Sequence, residues 1–100
     1  MRNYEIMFII RPTLADEEMK KVASNFQKTL EKNGAKVTSV DAWGQKQLAY
    51  DMKVGNNVYK SGYYFVVNIE ANDDKAIKEF DRLALISNDI IRHLIIKKEN

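Results

Sequence analysis

The stretch Asn3–Arg11 reads NYEIMFIIR and is rich in aromatic and β-branched residues. This composition is typical of a β-strand, and Pro12 ends it because proline has no N–H group for the ladder and restricts the residue before it. Side chains alternate along a strand, so one set faces the core and the other faces away. The core set is Ile6, Phe8 and Ile10, and the set that faces away is Asn3, Glu5, Met7 and Ile9. The second set is more apolar than contact with water requires, which indicates a binding surface.

The segment after Pro12 has the pattern of an amphipathic helix. Thr13 and Asp16 have the spacing of a capping box, and Asp16, Glu17 and Glu18 place negative charge at the positive end of a helix. Asn33-Gly34 suits a helix C-terminus. We therefore predict a helix from about Ala15 to Lys32, with a buried stripe of Met19, Val22, Ala23, Phe26 and Leu30.

The middle of the chain predicts a hairpin. Lys36–Met52 has the pattern of a long, bent strand, with a bulge or change of face at Gly44. Lys53–Gly62 contains Gly and Asn and is predicted to be a loop, and Tyr63–Glu70 (YYFVVNIE) has the strongest strand pattern in the chain.

The last third of the chain predicts one more helix and one more strand. Asn72 or Asp73 suits a helix N-cap, and a stripe of Ala76, Ile77, Phe80, Leu83 and Ala84 follows. Asn88-Asp89 then precedes the strand Ile90–Lys97. The order strand–helix–strand–strand–helix–strand predicts an α+β, ferredoxin-like split βαβ fold, with a four-stranded antiparallel sheet in the order 4-1-3-2 and both helices on one face. We expect residues 1–100 to form a single domain.

Composition narrows the possible functions. The 100 residues include no Cys and one His, so neither a disulfide framework nor a Cys or multi-His metal site is expected, and no cofactor is indicated. The longest apolar run, Ile6–Ile10, is too short for a membrane span or a signal peptide, which predicts a cytoplasmic protein without a membrane partner. The net charge of +2 means that any nucleic acid must contact a local patch.

Catalysis is not indicated by any motif. An acylphosphatase-type anion cradle needs a glycine-rich turn after the first strand, and Arg11-Pro12-Thr13-Leu14 has no glycine. His93 has no nucleophile or carboxylate at a recognisable spacing. We therefore predict a binding protein with no catalytic residue.

An RNA-recognition-motif-like module that binds single-stranded RNA on the open sheet face is the alternative. Lys60–Val66 (KSGYYFV) partly matches the third-strand signature of such domains. Two features depart from it: Ser61 separates the basic residue from glycine, and the alternation places Phe65 on the core face, whereas the signature needs outward-facing aromatics. Basic residues that could hold phosphates fall into two groups: Arg2, Arg11, Arg92, Lys97 and Lys98 near the first and last strands, and Lys46, Lys53 and Lys60 around the hairpin.

Four strings across the chain resemble the bacterial small-subunit ribosomal protein S6 family. They are Arg2-Asn3-Tyr4-Glu5-Ile6-Met7, Arg11-Pro12, Trp43-Gly44-Gln45-Lys46-Gln47-Leu48-Ala49-Tyr50 and Ile90-Ile91-Arg92-His93-Leu94. The resemblance implies a ferredoxin-like, non-enzymatic protein of the 30S ribosomal subunit platform, which binds the central domain of 16S rRNA together with ribosomal protein S18. By position it implies RNA contacts at Arg2, Tyr4, Lys46, Arg92 and Lys97, and a partner interface at Leu48 and Tyr50. We expect Arg2, Arg92 and Lys97 to form one phosphate-binding patch.

Overall fold

The computed structural model of the protein describes residues 2–98. Its elements are β1 (Arg2–Ile10), α1 (Asp16–Lys32), β2 (Lys36–Val54), β3 (Asn57–Ala71), α2 (Lys75–Ile86) and β4 (Ile90–Lys98). All strand pairs are antiparallel, and the sheet order is β2-β3-β1-β4. The predicted ferredoxin-like split βαβ arrangement is thus confirmed.

Four phenylalanines form the centre of the core between the sheet and the helices. Phe8 of β1 lies 5.3 Å from Phe65 of β3, 5.9 Å from Phe26 of α1 and 5.8 Å from Phe80 of α2, measured between ring centroids. Ile6 and Ile10 are fully buried beside Phe8, as the alternation along β1 predicts. The face of the sheet turned away from the helices, called the open face below, carries the other set of β1 side chains.

The helices begin differently from the prediction. The N-cap of α1 is Ala15, which has no side-chain cap, so the capping box predicted from Thr13 and Asp16 does not form. The Thr13 hydroxyl instead accepts a hydrogen bond from Arg11 Nη1 at 2.7 Å. For α2 the N-cap position is Asp74, although the neighbouring carboxylate of Asp73 accepts a hydrogen bond from the Lys75 backbone N–H at 3.0 Å.

The loop predicted over Lys53–Gly62 is wrong, because β2 and β3 continue through it. Val54 pairs with Asn57, which leaves a two-residue turn of Gly55 and Asn56. Gly55 has φ +61°, as the first position of a glycine-led hairpin turn requires. At Gly44 the predicted bulge is confirmed, since the register with β3 shifts there and the glycine has φ +80°.

The tip of this long hairpin folds over one end of the open face. Ile9 of β1 is buried there against Leu48 and Tyr59, and partly buried side chains of β2, β3 and β4 surround them. Gly62 of β3 lies very close to β1. A Cβ atom at this position would be 2.4 Å from Ile9 Cγ2 and 3.1 Å from the Ile10 carbonyl oxygen. The hairpin can pack in this position because residue 62 has no side chain.

Candidate RNA and partner interface

The strand register arranges the open-face side chains in rows that cross the sheet. The first row contains Tyr64, Ile9 and Arg92, the second contains Asp41, Val66, Met7 and Leu94, and the third contains Ser39, Asn68, Glu5 and Ile96. The rows therefore change from aromatic and basic at one end, through apolar, to polar at the end where β1 begins.

An aromatic pair extends the first row toward the edge strand β2. The Trp43 and Tyr64 rings are stacked, with centroids 6.5 Å apart and planes within 4°. Lys46 Nζ lies 5.5 Å from the centroid of the Trp43 ring, in a cation–π position. Trp43 remains 52% exposed, so a large apolar surface is open to a partner here.

The second row is the apolar centre of the open face. Met7 lies on this face, as the alternation along β1 predicts, and is opposite Val66. Leu94 and Ile96 on β4 are 43% and 44% exposed, and both lie on the open face beside Met7 and Glu5. A contiguous apolar strip of this kind, bordered by charges, is typical of a surface that docks another molecule.

The third row is a connected polar network. Asn68 Nδ2 donates a hydrogen bond to Ser39 Oγ at 2.9 Å, and Lys98 Nζ donates to Asn68 Oδ1 at 2.8 Å. Lys98 Nζ also lies 3.7 Å from the Glu5 carboxylate. The network borders a polar groove of about 460 Å³, lined by Asn3, Tyr4, Thr38, Ser39, Asn68, Ile69 and Lys98.

Arg2, Arg92 and Lys97 do not form the single patch that was expected. Lys97 lies opposite Tyr4, so it is on the helix side of the sheet and near Arg2. Arg92 lies opposite Ile9, on the open face. Lys97 follows Arg92 by five positions, which is roughly 17 Å along the strand, and an odd separation places the two side chains on opposite faces. The basic residues thus form two separate groups.

The structure gives different exposures to the remaining predicted residues. Tyr4 is 6% exposed and belongs to the core, so its ring has no free face on which a base could stack, although part of it borders the polar groove. Leu48 is also buried within its own chain, where it supports the hairpin. Tyr50 is 78% exposed and is available to a partner.

The single histidine has a carboxylate neighbour that its sequence spacing did not reveal. His93 Nε2 lies 2.7 Å from Asp81 Oδ1 and the His93 ring packs edge-on against Phe80, which connects β4 to α2. Elsewhere on α2, the hydrogen bond from Arg82 lowers the pKa of Glu79. Within residues 2–98, no three His, Cys, Asp or Glu side chains are grouped to hold a metal ion, and neither helix could span a membrane.

Sequence reasoning missed Ser39, Asn68 and Trp43 as surface residues. Asn68 interrupts the apolar run of β3 on the same alternation as Tyr64, which is a readable signal of an outward position. For Ser39 and Trp43 the signal is hidden, because register shifts after Val37 and at Gly44 interrupt the simple alternation along β2.

Comparison with known proteins gives two results of use. The family described as ribosomal protein S6 matches residues 3–97. The 30S ribosomal protein S6 of Thermotoga maritima superposes with a TM-score of 0.88 at 26% identity, over 97% of this chain and 87% of that one. An amidohydrolase or peptidase from Burkholderia cenocepacia reaches a TM-score of only 0.47 at 17% identity, over 98% of this chain and 27% of that one, and supports no argument. Because the family match spans 95 of the 97 described positions, the chain belongs to the ribosomal protein S6 family.

Proposed function

We propose that the protein is a non-enzymatic, structural component of the 30S ribosomal subunit in the bacterial cytoplasm, where it binds the central domain of 16S rRNA together with ribosomal protein S18. The observation that carries this proposal is the family match over residues 3–97. The open face supports it, because apolar and basic rows lie side by side on a sheet whose other face is covered by helices.

The basic residues at the two ends of the sheet and the apolar centre of the open face suggest different contacts. We assign Arg2 and Lys97 at one end of the sheet, and Arg92 and Lys46 at the other, to RNA phosphates, because guanidinium and ammonium groups position a folded RNA mainly through its backbone. We assign the apolar second row, with Tyr50 on the hairpin, to the protein partner, because interface centres are depleted of charge and enriched in aromatic residues.

This division of contacts between RNA and a protein partner explains how a chain with a net charge of only +2 can bind RNA. A few phosphate contacts alone give weak binding that salt readily disrupts. A preassembled pair of proteins presents a larger RNA-binding surface whose two parts are already fixed relative to each other, which lowers the cost of association. We therefore expect binding to rRNA to be cooperative with S18.

The proposal is tested by sedimenting a lysate that contains the tagged protein through a sucrose gradient. We expect the tag to travel with the small subunit and its 16S rRNA. Recovery of the protein only at the top of the gradient, with the small subunit intact, would contradict the proposal.

Replacing Arg92 with Ala should weaken assembly on the central-domain RNA and reduce the slope of log affinity against log salt by about one unit. The unfolding free energy should change by no more than about 0.5 kcal/mol, because the side chain is exposed. Titrations at several salt concentrations, beside a melting curve, measure both effects. Lys20→Ala, which removes an exposed charge from α1, is the matched control and should leave the slope unchanged.

The stacked Trp43–Tyr64 pair favours a second candidate, an RNA-recognition-motif-like module that stacks bases on the open face. The neighbouring strand β1, however, has no aromatic residue where a second stacking ring is needed, because Met7 and the buried Ile9 occupy those positions. We therefore expect short single-stranded RNA to bind poorly, and Tyr64→Ala to change that binding little. Tight binding of random oligonucleotides, with a loss of roughly 1–3 kcal/mol in Tyr64→Ala, would establish the second candidate instead.

A further inference from the structure

We infer that the polar groove at the start of β1 holds one ribonucleotide unit of the RNA, with Lys98 on a phosphate and Ser39 and Asn68 on the ribose 2′-hydroxyl. This inference rests on the proposed function and adds to it a site that distinguishes RNA from DNA. It concerns side chains that the family resemblance did not assign.

The chemistry of the groove walls is suited to a sugar and phosphate rather than to a protein side chain. Hydroxyl, amide and ammonium groups dominate the lining, and the exposed apolar side chains Leu94 and Ile96 of the open face are not part of it. Its volume of about 460 Å³ is within the range of small-molecule sites. Three cations lie at the same end of the sheet, where β1 and β2 begin and β4 ends: Lys36, and on the helix side Arg2 and Lys97.

The internal hydrogen bonds fix the groove side chains and leave further bonding capacity. Asn68 donates one amide hydrogen to Ser39 and accepts a hydrogen bond from Lys98 on its side-chain oxygen. Its second amide hydrogen remains available to a ligand. Ser39 accepts the hydrogen bond from Asn68, and its own hydroxyl hydrogen is left to donate. Lys98 has three ammonium hydrogens and directs one to Asn68. The groove can therefore donate to a phosphate and to a hydroxyl oxygen at the same time.

The 2′-hydroxyl is the group that lets a protein distinguish RNA from DNA, and it both donates and accepts. Ser39 and Asn68 can donate to its oxygen, while the Glu5 carboxylate beside Lys98 can accept a hydrogen bond from its O–H group. A deoxyribose would leave these polar groups without that partner. We expect the groove to prefer ribose by a few-fold to about tenfold, the effect of one hydrogen bond.

The test is 2′-deoxy interference on the central-domain fragment of 16S rRNA, bound by the whole protein and S18. Fragments carry sparse, random 2′-deoxy substitutions, and the bound and unbound pools are compared position by position. With the unsubstituted protein, we expect at least one position at which deoxyribose reduces binding. In Ser39→Ala and in Asn68→Ala that interference should disappear, while positions elsewhere keep theirs.

Ser61→Ala is the matched control, because it removes a hydroxyl from β3 outside the groove. Its interference pattern should equal that of the unsubstituted protein. Normal binding without any 2′-deoxy interference, or interference that persists in both groove variants, would overturn the assignment of the groove to a ribonucleotide and leave the proposed function standing. Failure of the unsubstituted protein to bind the fragment with S18 would overturn the proposed function and the groove with it.

A free nucleotide carries the same phosphate and hydroxyl as an RNA chain. Adenosine 5′-monophosphate in large excess should leave the RNA complex intact and its interference pattern unchanged. Loss of the Ser39-dependent interference in the presence of this nucleotide would show that the groove takes free nucleotides, which would overturn its assignment to RNA.

Discussion

Replacing Phe8 with Ala should lower the free energy of unfolding by about 3–5 kcal/mol, the cost of removing a fully buried aromatic ring. The ring lies within 6 Å of three other phenylalanine rings, from β3 and from both helices, so its loss leaves a cavity at the junction of all the core elements. Because small domains have only about 5–15 kcal/mol of stability, the variant should be close to unfolding at room temperature. Chemical denaturation measures the change as a lower midpoint.

Two further variants separate the cavity effect from a general loss of strand structure. Phe8→Leu keeps much of the apolar volume, and its loss should be on the order of 1–2 kcal/mol. Tyr50→Ala removes an exposed ring and should change stability by less than about 0.5 kcal/mol. A Phe8→Ala midpoint as high as that of Tyr50→Ala would contradict the described core.

Replacing Gly62 with Ala should destabilise the protein by about 1–3 kcal/mol, although the change adds a single methyl group. The new Cβ would lie 2.4 Å from Ile9 Cγ2, a methyl group held on a branched and stiff side chain, and 3.1 Å from a backbone oxygen. Neither neighbour can move away without shifting β1 or β3. The cost is steric, since the φ angle of Gly62 does not require glycine.

A double-mutant cycle with Ile9→Ala tests this cause. Ile9→Ala removes the methyl group that the new Cβ would meet, so the combined variant should be more stable than the sum of the two single effects by about 0.5–3 kcal/mol. Additive effects would show that the glycine is needed for another reason. Gly34→Ala is a useful contrast, because its strain would come from a positive φ angle of 95° with open space around it.

The sequence was sufficient for the fold because its strongest patterns are independent of tertiary detail. Alternation in Asn3–Arg11 and the apolar stripe of α1 each require one buried face, and only a few topologies bury all such faces together. The hairpin loop was mispredicted because Gly55, Asn56 and Asn57 suggest flexible chain, whereas a two-residue turn uses only the first two of them. Boundary residues depend on such local geometry.

The candidate interface was less predictable because it depends on register. Arg92 and Lys97 are close in sequence, yet strand alternation separates them onto two faces. The burial of Tyr4 follows from the same alternation that buries Ile6, whereas the family resemblance implied an RNA contact at this position. The polar network could not be anticipated, since it joins Ser39, Asn68 and Lys98 across strands that are far apart in sequence.

The central position of β1 between β3 and β4 has a consequence for how the chain folds as it is made. The hairpin of β2 and β3 closes through a two-residue turn and can form as soon as both strands have been synthesised. The ladder of β1 with β4 joins the two ends of the sequence, with Asn3 opposite Lys98. During translation β1 therefore keeps one unpaired edge until the last strand has emerged, and an unpaired edge is the feature most prone to pair with another chain. Rapid pairing of β4 with β1 therefore protects the new chain from aggregation.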